Sequence, residues 1–354
     1  MIREVFLILC NQVLHSRAPQ MPLEDIYTVV REELGQEPRS IFSEFDADPL
    51  GSASLAQVHR ARLPSGEEVA VKVQHKYVKR HSLVDIWTCD FLVRMVKAAF
   101  PQFEFMWLAE EMKKNLPLEL SFTQVFSAFS LNPGFRLSKF EILQLYLSFQ
   151  EARNAEKVAR IFKDCSWLKV PRIHWPFTTD RVLVMEYCPG GHVNDVDWLR
   201  SQGIDTHDVS RKIGELYSKM IFGDGYVHCD PHPGNVLVQK SPSSGQTQIV
   251  LLDHGLYTQL SNQFRYDYAD FWNAIIHRDI AAIKTSADKL GVGMLYGLFA
   301  CMVTGRSWSS IQKGVDVAER SASESAEIKA NAAKYLKEIT DVLAYVNRLD
   351  RLLH

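Results

Sequence analysis

The sequence has almost no excess of charge. Its 40 lysines and arginines nearly cancel 42 aspartates and glutamates, for a net charge of −2. Without a basic footprint, nucleic acid is not the expected partner. Paired cysteines are missing too. The six cysteines (Cys10, Cys89, Cys165, Cys188, Cys229, Cys301) are scattered with no C-x-x-C, which argues against a disulfide framework or zinc ribbon and fits a reducing compartment. No apolar run near the start is long: residues 5–10 fall far short of the roughly 20 that span a bilayer. With Glu4 ahead of it, that short run also makes a poor secretory signal, and no Arg-rich presequence opens the chain. No internal repeat is visible.

What is present is ordinary globular material. Hydrophobic residues at 46% and charged residues at 23% argue against intrinsic disorder. A chain of 354 residues has the length of about two domains, or of one large two-lobed one. It can bury a core without disulfide or metal staples.

Residues 1–36 read as helices. Apolar residues at 26, 29, 30 and 34 share one helical face, and Gly35 suits the helix end. The small-residue run Gly51-Ser52-Ala53-Ser54 then leads into two predicted strands, 57–63 and 67–74, joined by a turn at Pro64-Ser65-Gly66. Residues 80–165 read as mostly helical, and 170–175 and 181–187 as strands. A helical stretch follows at about 194–223, then a polar, proline-containing loop at 226–235. A short hairpin over 236–252 turns at Ser241-Pro242-Ser243-Ser244-Gly245, and helices run from 258 to the end. The expected architecture is a strand-rich first lobe, a connecting strand near 183–188 and a helical second lobe.

The strongest chemical signal is His228-Cys229-Asp230-Pro231-His232-Pro233-Gly234-Asn235. An aspartate followed five residues later by an asparagine, just before a short apolar strand, is the spacing of a phosphotransferase catalytic loop. The aspartate must reach the acceptor's proton while the asparagine turns back toward a metal ion on the phosphates. Eighteen residues beyond Asn235 comes Asp253-His254-Gly255 at a strand end, where a kinase keeps a second metal-holding carboxylate. Lys72 lies inside the apolar strand Val69-Ala70-Val71-Lys72, where its charge is costly unless it meets phosphate or carboxylate.

Each element has a blander use. Asp230 could cap a turn, Asp253-His254-Gly255 could simply end a strand, and Lys72 could snorkel from an edge. The order and register of the three together favour phosphoryl chemistry. A zinc site built from His228, Asp230, His232 and His254 is a rival use of the same residues, although Pro231 and Pro233 break any regular alternation.

Taken with Gly51-Ser52-Ala53-Ser54-Leu55-Ala56-Gln57-Val58-His59, these strings resemble the AarF/UbiB family of atypical kinases over almost the whole chain. The resemblance implies an α+β, protein-kinase-like two-lobed fold with a small β-rich N-lobe and a helical C-lobe. On that pattern residues 1–40 form an N-terminal helical segment, 41–187 the N-lobe and 188–354 the C-lobe. It implies ATP or ADP binding with Mg2+. Asp230, Lys72 and Glu151 would be catalytic, Asn235 and Asp253 would hold the metal, and Gly51, Ser52, Ala53, Ser54, Lys72, Glu186 and Cys188 would line the nucleotide. Met185, Glu186, Tyr187 and Cys188 would form the hinge beside the adenine. The β-carbons of the Gly51–Ser54 loop should restrict its closure over phosphates, unless its small residues serve packing alone.

The resemblance also implies a mitochondrial location, a link to coenzyme Q or lipid metabolism and to mitochondrial membrane organisation, and peripheral association with the mitochondrial membrane or its proteins. The acceptor would be a small molecule, a lipid or a protein, and a catalytically weak, nucleotide-binding scaffold is the alternative. No A-P-E string or long activation segment follows Asp253, so a docking platform for protein substrates is not evident.

Three departures from the family pattern stand out. There is no K-x-G-Q motif. Ser121 stands where the pattern starting at Glu119 has aspartate. The second glutamate of that pattern falls at Glu151 rather than at position 125, as if about 26 residues had been inserted. A helical insertion near 123–149 is therefore expected, either a spliced or intronic piece or a tolerated surface hairpin. The chain reads as a truncated or alternatively spliced form.

Overall fold

The structure is a computed structural model. It describes residues 20–52, 56–76, 88, 91–96, 139–314 and 324, with 139–149 as backbone only. The expectations for Ala53 and Ser54, for residues 1–19, for the first part of the inserted stretch (123–138) and for helices beyond 314 lie outside the described residues.

Helix α1 (Leu23–Leu34) follows the predicted face. Ile26, Val29 and Val30 are fully buried, and Gly35 closes the helix at φ +67° with its N–H on the Arg31 carbonyl. A short helix α2 (Pro38–Ile41) precedes strands β1 (Glu44–Phe45), β2 (Gly51–Ser52), β3 (Ala56–Arg62) and β4 (Glu68–Gln74). Gly66, at φ +86°, supplies the left-handed residue of the β3–β4 turn. Helix α3 (Lys139–Ile161) leads to β5 (Leu168–Lys169) and β6 (Val182–Glu186).

The first sheet has the order β1-β3-β4-β6, with β2 added on β3, and every pair is antiparallel. Val69, Val71 and Val73 of β4 pack with Val182 and Val184 of β6 against the α1 residues Ile26, Val29 and Val30. Alternation then sends Lys72 to the opposite face. Register places it between Val58 of β3 and Leu183 of β6, in the middle of the sheet rather than at an edge.

The strand expected over 170–175 does not form as such. Pro171 has no N–H to give a ladder, so only Leu168–Lys169 counts as strand. Ile173 makes an isolated bridge to Met185, and a 3-10 turn occupies Trp175–Phe177.

Beyond β6 come β7 (Gly191–His192), α4 (Val196–Ser201), α5 (Thr206–Ser218), a π-helical turn (Lys219–Asp224), β8 (Tyr226–His228), a 3-10 turn (Pro233–Asn235), β9 (Val236–Lys240) and β10 (Thr247–Leu251). The expected helix over 194–223 is thus interrupted. Asp195 caps α4, and Gly203 at φ +61° follows it before α5 begins. The loop expected at 226–235 holds a short strand and a 3-10 turn. The 236–252 hairpin forms as expected, with Val236 opposite Leu251 and Lys240 opposite Thr247, but it sits in a four-stranded sheet of order β5-β10-β9-β7. Strand β11 (Tyr257–Gln259) and helices α6 (Asn262–His277), α7 (Ile280–Lys289), α8 (Tyr296–Thr304) and α9 (Trp308–Lys313) follow.

The chain divides into two compact units. Of the described residues, one takes 20–52, 56–76, 88, 139–217 and 228–258, the other 91–96, 218–227, 259–314 and 324. The first contains both of the larger sheets and every site residue considered below. The second has its own core, in which Phe271, Ile275, Ile283 and Ile311 are fully buried. No described helix is long and apolar enough to cross a membrane.

Candidate active site

A lysine in mid-sheet needs partners, and Lys72 has two carboxylates. Its Nζ donates to Glu151 Oε1 and Oε2 at 2.8 and 3.0 Å and to Asp253 Oδ2 at 3.0 Å. The side chains of Lys72 and Glu151 are largely buried, whereas that of Asp253 is 42% exposed. Burial alone would lower the Lys72 ammonium, but the charges of Asp253 and Glu151 outweigh it and hold the group above the ordinary lysine value. The Lys72 charge brings Asp253 down to about 2, against the desolvation imposed by the groups packed around it. Glu151 is raised, first by burial and then by the Asp253 charge, with Lys72 opposing. Two carboxylates around one ammonium leave an unbalanced negative charge, which suits a further cation.

Glu151 reaches Lys72 from α3, whose backbone continues unbroken through residues 139–149 of the stretch expected to be inserted. Glu151 thus meets the lysine although the expected insertion precedes it. Ala152, Ala155 and Val158 bury that part of the helix.

Asp253 follows β10 at the place where Leu252 N–H bonds the Asn235 carbonyl at 2.8 Å. Its Oδ1 accepts Gly255 N–H at 3.1 Å, an Asx-type turn, as the bland reading of Asp253-His254-Gly255 has it, while Oδ2 is the oxygen that meets Lys72. The loop before it is pinned by local bonds. Asp230 Oδ2 accepts the Asn235 Nδ2–H at 3.0 Å, and His232 Nδ1 accepts Gly234 N–H at 3.0 Å. His228 spans the two aspartates. Its Nε2 bonds the Asp253 carbonyl at 2.8 Å and so carries the proton, which leaves Nδ1 to accept Asp230 N–H at 3.2 Å.

His254 is also committed. Nε2–H donates to the Leu251 carbonyl at 3.0 Å, and Nδ1 accepts the Tyr257 hydroxyl at 2.9 Å. The His254 and Tyr257 rings stack, and His228 meets Tyr257 edge-on with centroids 5.0 Å apart. Burial pushes His254 down to about 4, so it is neutral at neutral pH. These bonds correct the zinc alternative: His228 and His254 spend their nitrogens inside the fold. Among the described residues no group of three or more His, Cys, Asp or Glu side chains could hold a metal ion.

The predicted nucleotide-lining residues are placed less centrally. Gly51 and Ser52 pair with Val58 and Gln57 on β3, and the buried Ser52 hydroxyl has no hydrogen-bond partner among the described residues. Glu186 ends β6 with its carboxylate on Lys169 Nζ at 2.7 Å and on the Arg172 N–H at 3.2 Å. Tyr187 lies under the Arg60 guanidinium. The Cys188 thiol is buried and pushed up to about 11, hence neutral. None of Gly51, Ser52, Glu186 and Cys188 hydrogen-bonds to the Lys72 cluster.

The donor set fits a hard divalent cation. Among the described residues Asn235 Oδ1 and Asp230 Oδ1 accept no hydrogen bond, and Asp253 is ionised and partly exposed. Carboxylate and amide oxygens are the ligands magnesium takes. Sequence reasoning assigned no role to Asn154 or Tyr257, and considered His228 only as a zinc ligand, not as the bond between the two aspartate segments. Asn154 had one usable signal, a polar residue one turn beyond Glu151 on a helix face of alanines and valine.

A lysine–glutamate pair joining sheet and helix, an aspartate–asparagine loop and an Asp-x-Gly turn define a protein of the kinase-like class. The family model described as the ABC1 atypical kinase-like domain matches residues 13–126 and 143–287. The chain belongs to this ABC1/AarF family. The match is interrupted at 127–142, inside the stretch expected to be inserted.

The chain is 50% identical to AarF domain-containing protein kinase 1 of Gallus gallus over 342 residues, 97% of this chain and 61% of the relative. To AarF domain-containing kinase 1 of Drosophila melanogaster it is 49% identical over 338 residues, 95% of this chain and 60% of the relative. The chain thus spans about three fifths of the length of these relatives. Among solved structures, Rv3197 of Mycobacterium tuberculosis, in complex with erythromycin, is similar with a TM-score of 0.56 and 20% identity, covering 97% of this chain and 82% of that one. That likeness concerns the fold.

Proposed function

We propose that the chain binds a magnesium–adenine nucleotide, ATP or ADP, at the Lys72 cluster and uses it in phosphoryl transfer or ATP hydrolysis. The observation that carries this reading is Lys72 Nζ held between Glu151 and Asp253, with the unpartnered Asn235 oxygen beyond. Glu151 aims the ammonium, which is offered to phosphate oxygens. Asp230, exposed and anchored by Asn235, accepts the proton of the attacking hydroxyl or water. Asp253 and Asn235 would hold magnesium, which when bound neutralises charge on the phosphates. Membership of the ABC1/AarF family supports a mitochondrial setting tied to lipid or coenzyme Q metabolism and to membrane organisation, with a lipid, small-molecule or protein acceptor.

A non-catalytic nucleotide-binding scaffold is the second reading. It is favoured by the direct Lys72–Asp253 ion pair, which phosphate and metal must each loosen. Thermal-shift titration with ADP and ATP, with and without magnesium, tests both. A ligand bound only by the folded state at 100 times its Kd stabilises by about 2.7 kcal/mol. We expect a magnesium-dependent rise in Tm that Asp253→Asn removes. No shift in folded protein overturns the nucleotide reading, and a shift without consumption of ATP selects the scaffold.

A further inference from the structure

Asp253 adopts a backbone conformation unfavourable to a residue with a β-carbon. Its φ of +43° lies in the left-handed region, and such a conformation persists only where the surroundings enforce it. Two side chains grip the peptides around it. His228 bonds the Asp253 carbonyl, and Asn154 Nδ2–H bonds the His254 carbonyl at 2.8 Å. Asn154 is only 3% exposed, and its own amide oxygen accepts Gln150 Nε2–H at 2.8 Å. It lies one turn beyond Glu151 on α3, so a single turn of helix delivers Glu151 to Lys72 and Asn154 to the peptide next to Asp253.

We propose that Asn154 is a positioning residue: it holds Asp253 in the left-handed conformation and ties that segment to the Glu151 helix, so that the Lys72–Glu151 and Lys72–Asp253 contacts form and break together. A buried asparagine that merely satisfied a carbonyl would have no such coupling. The consequence for magnesium and nucleotide rests on the proposed function, but the coupling itself belongs to the protein without ligand.

The test is a double-mutant cycle in ligand-free protein, followed by urea midpoint, between Asn154→Asp and Asp253→Gly. Asn154→Asp keeps the volume while replacing the donor by a carboxylate facing a carbonyl. Asp253→Gly removes the conformational strain that Asn154 is argued to restrain. The expected result is that Asn154→Asp lowers the midpoint in the wild-type background and by less than half as much in Asp253→Gly. Equal effects in both backgrounds, which independent contributions give, overturn the proposal, as does a midpoint unchanged by Asn154→Asp.

A local readout is amide exchange at Gly255, whose N–H bonds Asp253 Oδ1 at 3.1 Å. Exchange there should quicken at least tenfold in Asn154→Ser while the β9–β10 amides keep their rates, and unchanged Gly255 exchange overturns the proposal. With magnesium–ADP, Asn154→Ser should need about tenfold more magnesium for half its thermal shift. A wild type that shows no magnesium-dependent shift removes the proposed function and leaves the ligand-free cycle to decide the coupling.

Discussion

Asp253 and Asp230 stand on one short stretch of chain and are held in opposite ways. Apart from the turn bond to Gly255, Asp253 is held from far along the sequence: by Lys72, 181 residues away, by Asn154, which bonds its neighbour's carbonyl 100 residues on, and by His228, 25 residues away. Asp230 meets the Asn235 amide five residues on. It sits in a loop that also bonds to itself through His232 and Gly234. The first aspartate is a product of the whole first unit, since sheet, helix and hairpin must all be in place before its charge is balanced. The second is a product of local spacing and prolines. Substitutions around Asp253 should therefore act on stability as well as chemistry, whereas substitutions around Asp230 should act on chemistry almost alone.

The largest effect should come from Lys72→Met. The substitution leaves Glu151 and Asp253 facing each other without a cation, and removing one partner of a buried pair typically costs 3–5 kcal/mol. Because Asp253 is 42% exposed, water softens the repulsion, and a loss of about 3 kcal/mol in urea unfolding at pH 7 is expected. Protonating either carboxylate relieves the clash, so the deficit relative to wild type should shrink as pH is lowered toward 4. A loss below about 1 kcal/mol at pH 7 would mean that the cluster is no more tightly built than the Asp230 loop.

Much of this contrast could be read in advance, and the reasons differ by region. The α1 face, the β3–β4 turn and the 236–252 hairpin announce themselves by periodicity and by Gly35, Gly66 and Gly245, because local sequence decides them. Lys72, Asp230, Asn235 and Asp253 stand out because their order and spacing are those of phosphotransferase loops. Glu151 was reached only through family likeness, since nothing local marks one glutamate on a helix as a lysine's partner 79 residues away. The carbonyl bonds of Asn154 and His228 are not legible, because a side chain that bonds a distant backbone carbonyl leaves no pattern in either segment, and His228 reads from sequence only as a metal-ligand candidate. The 170–175 stretch reads as strand from its composition, but Pro171 withholds a ladder N–H and the chain settles for one bridge.

His254 sharpens the comparison through pH. Its pKa falls from an unfolded value near 6.5 to about 4, chiefly by burial. The folded state therefore prefers the neutral ring. The stability this contributes is fully present above pH 6.5 and is lost as pH falls toward 4, on the order of 3 kcal/mol. Buried His59 is lowered in the same sense, again chiefly by burial, and adds to the same limb. His254→Phe, measured by urea unfolding across pH 4–7, should flatten the slope without abolishing it, whatever it does to stability at pH 7 through the lost Leu251 and Tyr257 bonds. An unchanged slope would mean that the ring takes up a proton as readily folded as unfolded.

The smallest change in stability should come from the other side of the comparison, Asn235→Ala. The amide that is lost bonds Asp230 Oδ2 at 3.0 Å in an exposed setting. Water replaces such a partner readily, so the cost should stay under about 1 kcal/mol. The bond that ties this residue to the Asp253 segment, from Leu252 N–H to the Asn235 carbonyl, runs through backbone and survives the substitution. Tm without ligand should therefore hardly move. The magnesium-dependent Tm rise should nevertheless be lost, because the unpartnered Asn235 oxygen goes with the amide and Asp230 loses its anchor at the same time. The pair Lys72→Met and Asn235→Ala would then separate the two ways of holding a carboxylate, one variant unstable and the other stable but unable to respond to magnesium. If Asn235→Ala lowered the ligand-free Tm as much as Lys72→Met, the loop would be as much a part of the global fold as the cluster, and the division between the two aspartates would fail.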